Sequence, residues 1–93
     1  MSDFTQSVTT VGNVVSTITF STWCSSIEIV NLGGDNLWIR TDGVNPTVGG
    51  NNSILIPASS WKVGIANDKL GATNTEVRII SATPVFAFIG AST

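Results

Sequence analysis

Apolar residues in this chain fall in short runs, and within those runs the spacing is two rather than three or four. Thr17-Ile18-Thr19-Phe20 alternates β-branched and aromatic positions, and Ile27-Glu28-Ile29-Val30 sets two isoleucines on one face and a glutamate on the other. Leu37-Trp38-Ile39-Arg40 repeats the pattern with Leu37 and Ile39 inward. The connector 31–36 is Gly- and Asn-rich, so these two runs are expected to pair as a hairpin. Ile54-Leu55-Ile56 closed by Pro57 reads as a further strand. In the next run, Trp61, Val63 and Ile65 share a face expected to pack in the core. Residues 77–82 and 85–89 close the chain as two strands around a Thr83-Pro84 break.

These runs predict about seven short antiparallel strands and no stretch of helical period, hence an all-β fold, a single small sandwich or barrel. A short helical turn near Asp68-Lys69-Leu70 is the one place a helix could start. Residues 1–13 are mostly Ser, Thr, Asp and Gln and are expected to be a flexible N-terminal arm. Phe4 and Val8 would be its docking groups, and residues 14–93 would form the β domain. Residues 41–53 carry Asp42-Gly43, Asn45-Pro46, Gly49-Gly50 and Asn51-Asn52 and read as a long exposed loop, a candidate contact element.

Composition then narrows the function. The 93 residues are 42 % hydrophobic and 11 % charged, with a net charge of −2; a typical domain is about 25 % charged. A surface of hydroxyls and amides with so little charge favours self-association. Four cations, Arg40, Lys62, Lys69 and Arg78, form no stripe that would offset nucleic-acid phosphates. The longest apolar run, 85–89, cannot span a membrane, and no secretory leader is expected. There is no His, and the six acids are scattered singly, so no acid–base pair is in view and no enzyme is expected. A serine nucleophile would lack its base, because Lys62 reads as a solvated edge residue. The Gly pairs lack the Lys-Ser/Thr of a phosphate loop, and the acids lack the spacing of a Ca²⁺ loop, so no cofactor or metal is expected. Cys24 reads as a small core side chain.

Candidate partner-binding residues follow from exposure and chemistry. Trp38 alternates away from the core and shares a face with Arg40, and both residue types are enriched at interface hot spots. Asn45 and Pro46 lie on the long loop. Phe86 and Phe88 make the last strand apolar on both faces, so one face needs a cover, either a subunit interface or an internal place in the sheet packing.

The order Asn31-Leu32-Gly33-Gly34, Leu37-Trp38-Ile39-Arg40-Thr41-Asp42-Gly43, Pro46-Thr47-Val48-Gly49-Gly50 and Ile54-Leu55-Ile56-Pro57-Ala58 resembles the small β-rich virion structural proteins of tailed bacteriophages. The run Arg78-Ile79-Ile80-Ser81-Ala82 before Thr83-Pro84-Val85 is similar too, so the resemblance spans roughly residues 27–89. One departure is Ser59, which stands where Gly commonly follows Pro-Ala, so a differently shaped turn is expected after Pro57. The resemblance implies a capsid decoration (cement) protein in the virion, made in the host cytoplasm. It would bind the coat-protein shell as a homo-oligomer, a trimer before other orders. The alternative is a tail or head-fibre receptor- or glycan-binding module using Trp38 and the loop 42–52. The resemblance carries over no catalytic or ligand residues.

Overall fold

The period-two runs fold as strands that each bury one face. The computed structural model describes residues 4–93, the side chain of Phe4 excepted. Among these residues there are eight strands and no helix: β1 Phe4–Thr9, β2 Ser16–Phe20, β3 Ser26–Asn31, β4 Leu37–Arg40, β5 Ile54–Ile56, β6 Trp61–Ala66, β7 Thr75–Ile80 and β8 Phe86–Ser92. The chain is therefore all-β, as its periodicity predicts.

The strands pair first with last, second with seventh, third with sixth and fourth with fifth, all antiparallel. Pairing of β3 with β8 and of β4 with β7 joins them into two four-stranded sheets, β1-β8-β3-β6 and β2-β7-β4-β5. This is one long hairpin rolled up on itself, the eight-stranded jelly roll. Its tip is the loop 41–53, which joins β4 to β5, the only consecutive strands that share a sheet among the described residues. The expected hairpin of β3 with β4 is therefore corrected. In a rolled hairpin, consecutive strands pass to opposite sheets, and the connector 32–36 turns the corner between them.

The expected arm, residues 1–13, is also corrected over residues 4–9. Residues Phe4–Thr9 are an edge strand in unbroken register with β8, and Val8, opposite Ala87, packs against the core. The side chain of Phe4 lies outside the described residues. A strand at a sheet edge needs only one apolar face, and here Thr5, Gln6, Ser7 and Thr9 are exposed, which is why the sequence reads as a tail.

Between the sheets lie Ile18, Phe20, Ile27, Ile29, Leu37, Ile39, Ile56, Ile65, Val77, Ile79 and Ile89, with Cys24 fully buried as expected. Each large aliphatic side chain so placed contributes roughly 1.5–3 kcal/mol. The corners where the chain crosses between sheets are held by buried polar groups. At the end of β3, Asn31 Nδ2 donates to the carbonyls of Asp35, Ile56 and Pro57, and its Oδ1 accepts from Gly33 N–H. Gly33 itself packs so closely that a Cβ there would lie 2.8 Å from Val85 Cγ1 and 3.2 Å from its Cα. At the opposite end, Thr75 Oγ1 accepts from Cys24 N–H and donates to the Thr22 carbonyl.

The turn after Pro57 keeps a glycine-like backbone in spite of Ser59, whose φ is 56°. The left-handed conformation brings the Cβ of an L-residue close to the following carbonyl. Ser59→Gly is therefore expected to raise the stability measured by urea unfolding by about 1 kcal/mol.

Candidate functional site: an aromatic sheet face

The outward side of β8, β3 and β6 is apolar around Val30, with Glu28 toward one end. Phe86 and Phe88 stand on it with ring centroids 5.2 Å apart and planes at 77°, an edge-to-face pair. Ala87, Ile89 and Ala91 alternate with them into the core. Val30 lies directly across from Phe88 on one side and from Trp61 on the other, so all three share a rung of this face. Leu32, whose N–H donates to the Phe86 carbonyl, extends it. Trp61 is 71 % exposed, Val63 61 %, Leu32 54 %, Phe86 42 % and Phe88 39 %. β8 does take an internal place in its sheet, but that covers only its edges and leaves both rings open to solvent.

Trp61 and Val63 correct the expectation of a core face shared with Ile65. Ile27 pairs with Ile65, yet Ile29 pairs with Lys62, so β6 holds one residue more than β3 between these rungs. That β-bulge contains Gly64 at φ 70°, a conformation open to glycine. Facing alternates with every residue, so the extra one keeps Ile65 in the core and turns Trp61 out. A glycine inside an apolar strand pattern is the one sequence signal that could have placed Trp61 correctly. Beside Trp61 runs a groove of about 290 Å³ lined by Val30, Asn31, Leu32, Ser59, Ser60 and Trp61. The indole N–H of Trp61 has no partner among the described residues.

The outward face of the other sheet is built differently. Trp38, half-buried, lies on the rung of Leu55 and Ile80, and Arg40 stands opposite Arg78. Like charges so close repel, and each is offset by a carboxylate two residues along its own chain. Arg40 makes a two-pronged bond to Asp42, Nη2 to Oδ2 at 2.5 Å and Nε to Oδ1 at 3.1 Å. Arg78 Nε reaches Glu76 Oε1 at 2.7 Å, and its Nη1 donates to Asn45 Oδ1 at 2.7 Å. Asn45 thus ties the long loop down, and Pro46 beside it is buried. Arg40, Asn45 and Pro46 are engaged within the chain. The structure does not bring them together with Phe86, Phe88 or Val8, which belong to the opposite sheet.

The Arg40 guanidinium holds the Asp42 carboxyl below the usual carboxylate range. Asp35 is lowered by the Asn36 N–H and the Thr83 hydroxyl. A carboxyl with a depressed folded pKa contributes stability above its unfolded value, near 4, and loses it as pH falls through the folded value. Stability is therefore expected to decline on acidification below about pH 4, and Asp42→Asn to flatten that decline in urea midpoints. Among the described residues no three His, Cys, Asp or Glu side chains gather where they could hold a metal ion.

No family model matches the sequence, and no curated protein is significantly similar to it. Two solved structures share its fold. The crystal structure of PirA superposes with a TM-score of 0.67 at 20 % identity, covering 98 % of this chain and 95 % of that one. The solution structure of a de novo designed double-stranded β-helix superposes with a TM-score of 0.56 at 15 % identity, covering 94 % and 96 %. At these identities the likeness concerns the fold alone.

Proposed function

We propose that the protein is a structural component of a bacteriophage virion, a capsid decoration protein that binds the coat-protein shell as an oligomer and acts by adhesion. The observation that carries an adhesive role is the face of Trp61, Leu32, Val63, Phe86 and Phe88, an apolar patch that a solitary soluble domain rarely exposes. The phage assignment itself rests on the run of residues from Asn31 to Ala58. Low charge density on a β body in which, among the described residues, every buried side-chain polar atom is hydrogen-bonded suits a part that must sit in a crowded shell. Coat-protein shells mixed with the purified chain and sedimented through a cushion are expected to carry it down at a fixed ratio to coat. Free protein in the supernatant, with virions unlabelled by an antibody against the chain, would overturn the reading.

The second reading, a glycan-binding module of a fibre, is favoured by one feature. The exposed indole of Trp61 flanks a groove bearing the Ser59 and Ser60 hydroxyls, an apolar platform beside hydrogen-bonding groups. Saturable quenching of tryptophan fluorescence by a sugar, lost in Trp61→Ala, would select it over shell binding.

A further inference from the structure

The aromatic face has an internal order that specifies its own complement. Val30 is central, with Phe88 across from it on β8 and Trp61 across from it on β6. A two-fold axis laid along β3 exchanges those two positions, so that Trp61 of each copy meets Phe88 of the other. On the same axis Val30 meets Val30 and Leu32 meets Leu32. We propose that this face pairs with the same face of a second copy, forming an isologous dimer about β3. The proposal rests on the adhesive role given to the face above and assigns it to the contact within the oligomer, which leaves the shell to the other surfaces of the pair.

Size supports a second copy. The exposed parts of the five large side chains amount to roughly 500 Å² at ordinary side-chain areas. Two copies would then bury on the order of 1,000 Å², where specific interfaces begin. A net charge of −2 leaves little repulsion between copies. Extension by strand addition at the β6 edge is disfavoured, because the bulge at Gly64 and the exposed Lys62 interrupt the row of free backbone groups. A trimer needs contact between two different patches, whereas this patch is self-complementary, so a pair takes the place of the trimer expected from the sequence. The axis also sets the two copies of Glu28, outward on β3 beside Gly90, against each other at one end of the interface.

Sedimentation velocity on the full chain from roughly 5 to 500 µM tests this. A monomer–dimer equilibrium is expected, weakened about tenfold or more by Trp61→Ser or Phe88→Ser and tightened several-fold by Glu28→Gln. All variants should keep the wild-type circular dichroism spectrum, since none of these residues is in the core. Facing sheets stack about 10 Å apart, so a bis-maleimide of about that reach should cross-link Val30→Cys to itself, residue 30 lying on the axis. Thr17→Cys, outward on the other sheet, should stay uncoupled, and Cys24 is shielded by burial. A monomer at the highest concentration, a trimer, a dimer indifferent to Trp61→Ser, or cross-linking at residue 17 rather than 30 would each overturn the proposal. Shell binding is scored separately on particles, so a monomeric chain that co-sediments with coat sinks the dimer alone. A dimer that ignores shells sinks the virion reading alone.

Discussion

Asn31→Ala is expected to lower the free energy of unfolding by about 4 kcal/mol, a large share of the 5–15 kcal/mol typical of a domain. The side chain is fully buried. Its amide serves the Asp35 carbonyl at 2.8 Å and those of Ile56 and Pro57 at 3.1 Å each, while its oxygen takes the Gly33 N–H at 2.9 Å. Truncation removes all of these bonds at once, and each buried group left without a partner costs about 1–3 kcal/mol. Water entering the space would recover part of that cost, which keeps the expected loss below the simple sum. Asn31→Asp separates hydrogen bonding from shape. At neutral pH a carboxylate would face three carbonyl oxygens with nothing to donate, so the loss should match or exceed that of alanine. That environment raises the folded pKa of the new carboxyl above its unfolded value. The variant should therefore recover stability as pH falls through that folded value, because the protonated acid regains one O–H donor. Urea unfolding at pH 7 and pH 5 measures both effects. A loss below about 1 kcal/mol for Asn31→Ala would show that the corner is held by packing instead.

Thr75→Val is expected to cost about 3 kcal/mol in the same assay. The replacement keeps the shape and removes one oxygen, which accepts from Cys24 N–H at 2.6 Å and donates to the Thr22 carbonyl at 2.7 Å. The Cys24 N–H has no other route to satisfaction at a fully buried position. The neighbouring corner is tied in a similar way, by Asn67 Nδ2 to the Cys24 carbonyl and Thr41 Oγ1 to the Ala66 carbonyl, so loosening should stay local. Asn31 ends β3, whereas Thr75, the first residue of β7, holds Cys24 just before β3 begins, so the six residues of β3, roughly 20 Å, separate the two corners. The double variant is accordingly expected to lose the sum of the two single effects to within about 0.5 kcal/mol.

Legibility in the sequence followed physical rules that can be named strand by strand. β2, β3 and β4 are readable because buried and less buried residues alternate along them, which writes a period of two into the chain, and β5 because Ile54-Leu55-Ile56 is an apolar run closed by Pro57. β1 is not, because an edge strand of Thr, Gln and Ser with Val8 alone turned to the core has nearly the composition of a tail. The placement of β3 and β4 in different sheets is not legible because proximity in sequence favours a hairpin, and nothing local distinguishes a turn within a sheet from a corner between two. Asn31 marks that corner, yet its signal is that of any loop asparagine. In the candidate site, Phe86 and Phe88 were visible as the outward half of a doubly apolar strand. Asn45 is exposed and Arg40 half-buried, and their internal partners Arg78 and Asp42 consume the groups a partner would have used. The outward place of Trp61 is not legible because the apolar alternation of the sequence runs straight through the bulge.

The bulge at Gly64 also means that stickiness in this protein is stored as a matter of odd and even. Trp-Lys-Val-Gly-Ile has the same hydropathy whether or not an extra residue interrupts its ladder, yet the count decides whether an indole lies inside the barrel or outside it. A regular ladder of the same five residues would set Val63 opposite Ile29 and Lys62 opposite Val30, and so turn Trp61 and Val63 toward the interior. The adhesive face therefore hangs on the left-handed backbone of one glycine rather than on the hydropathy of β6.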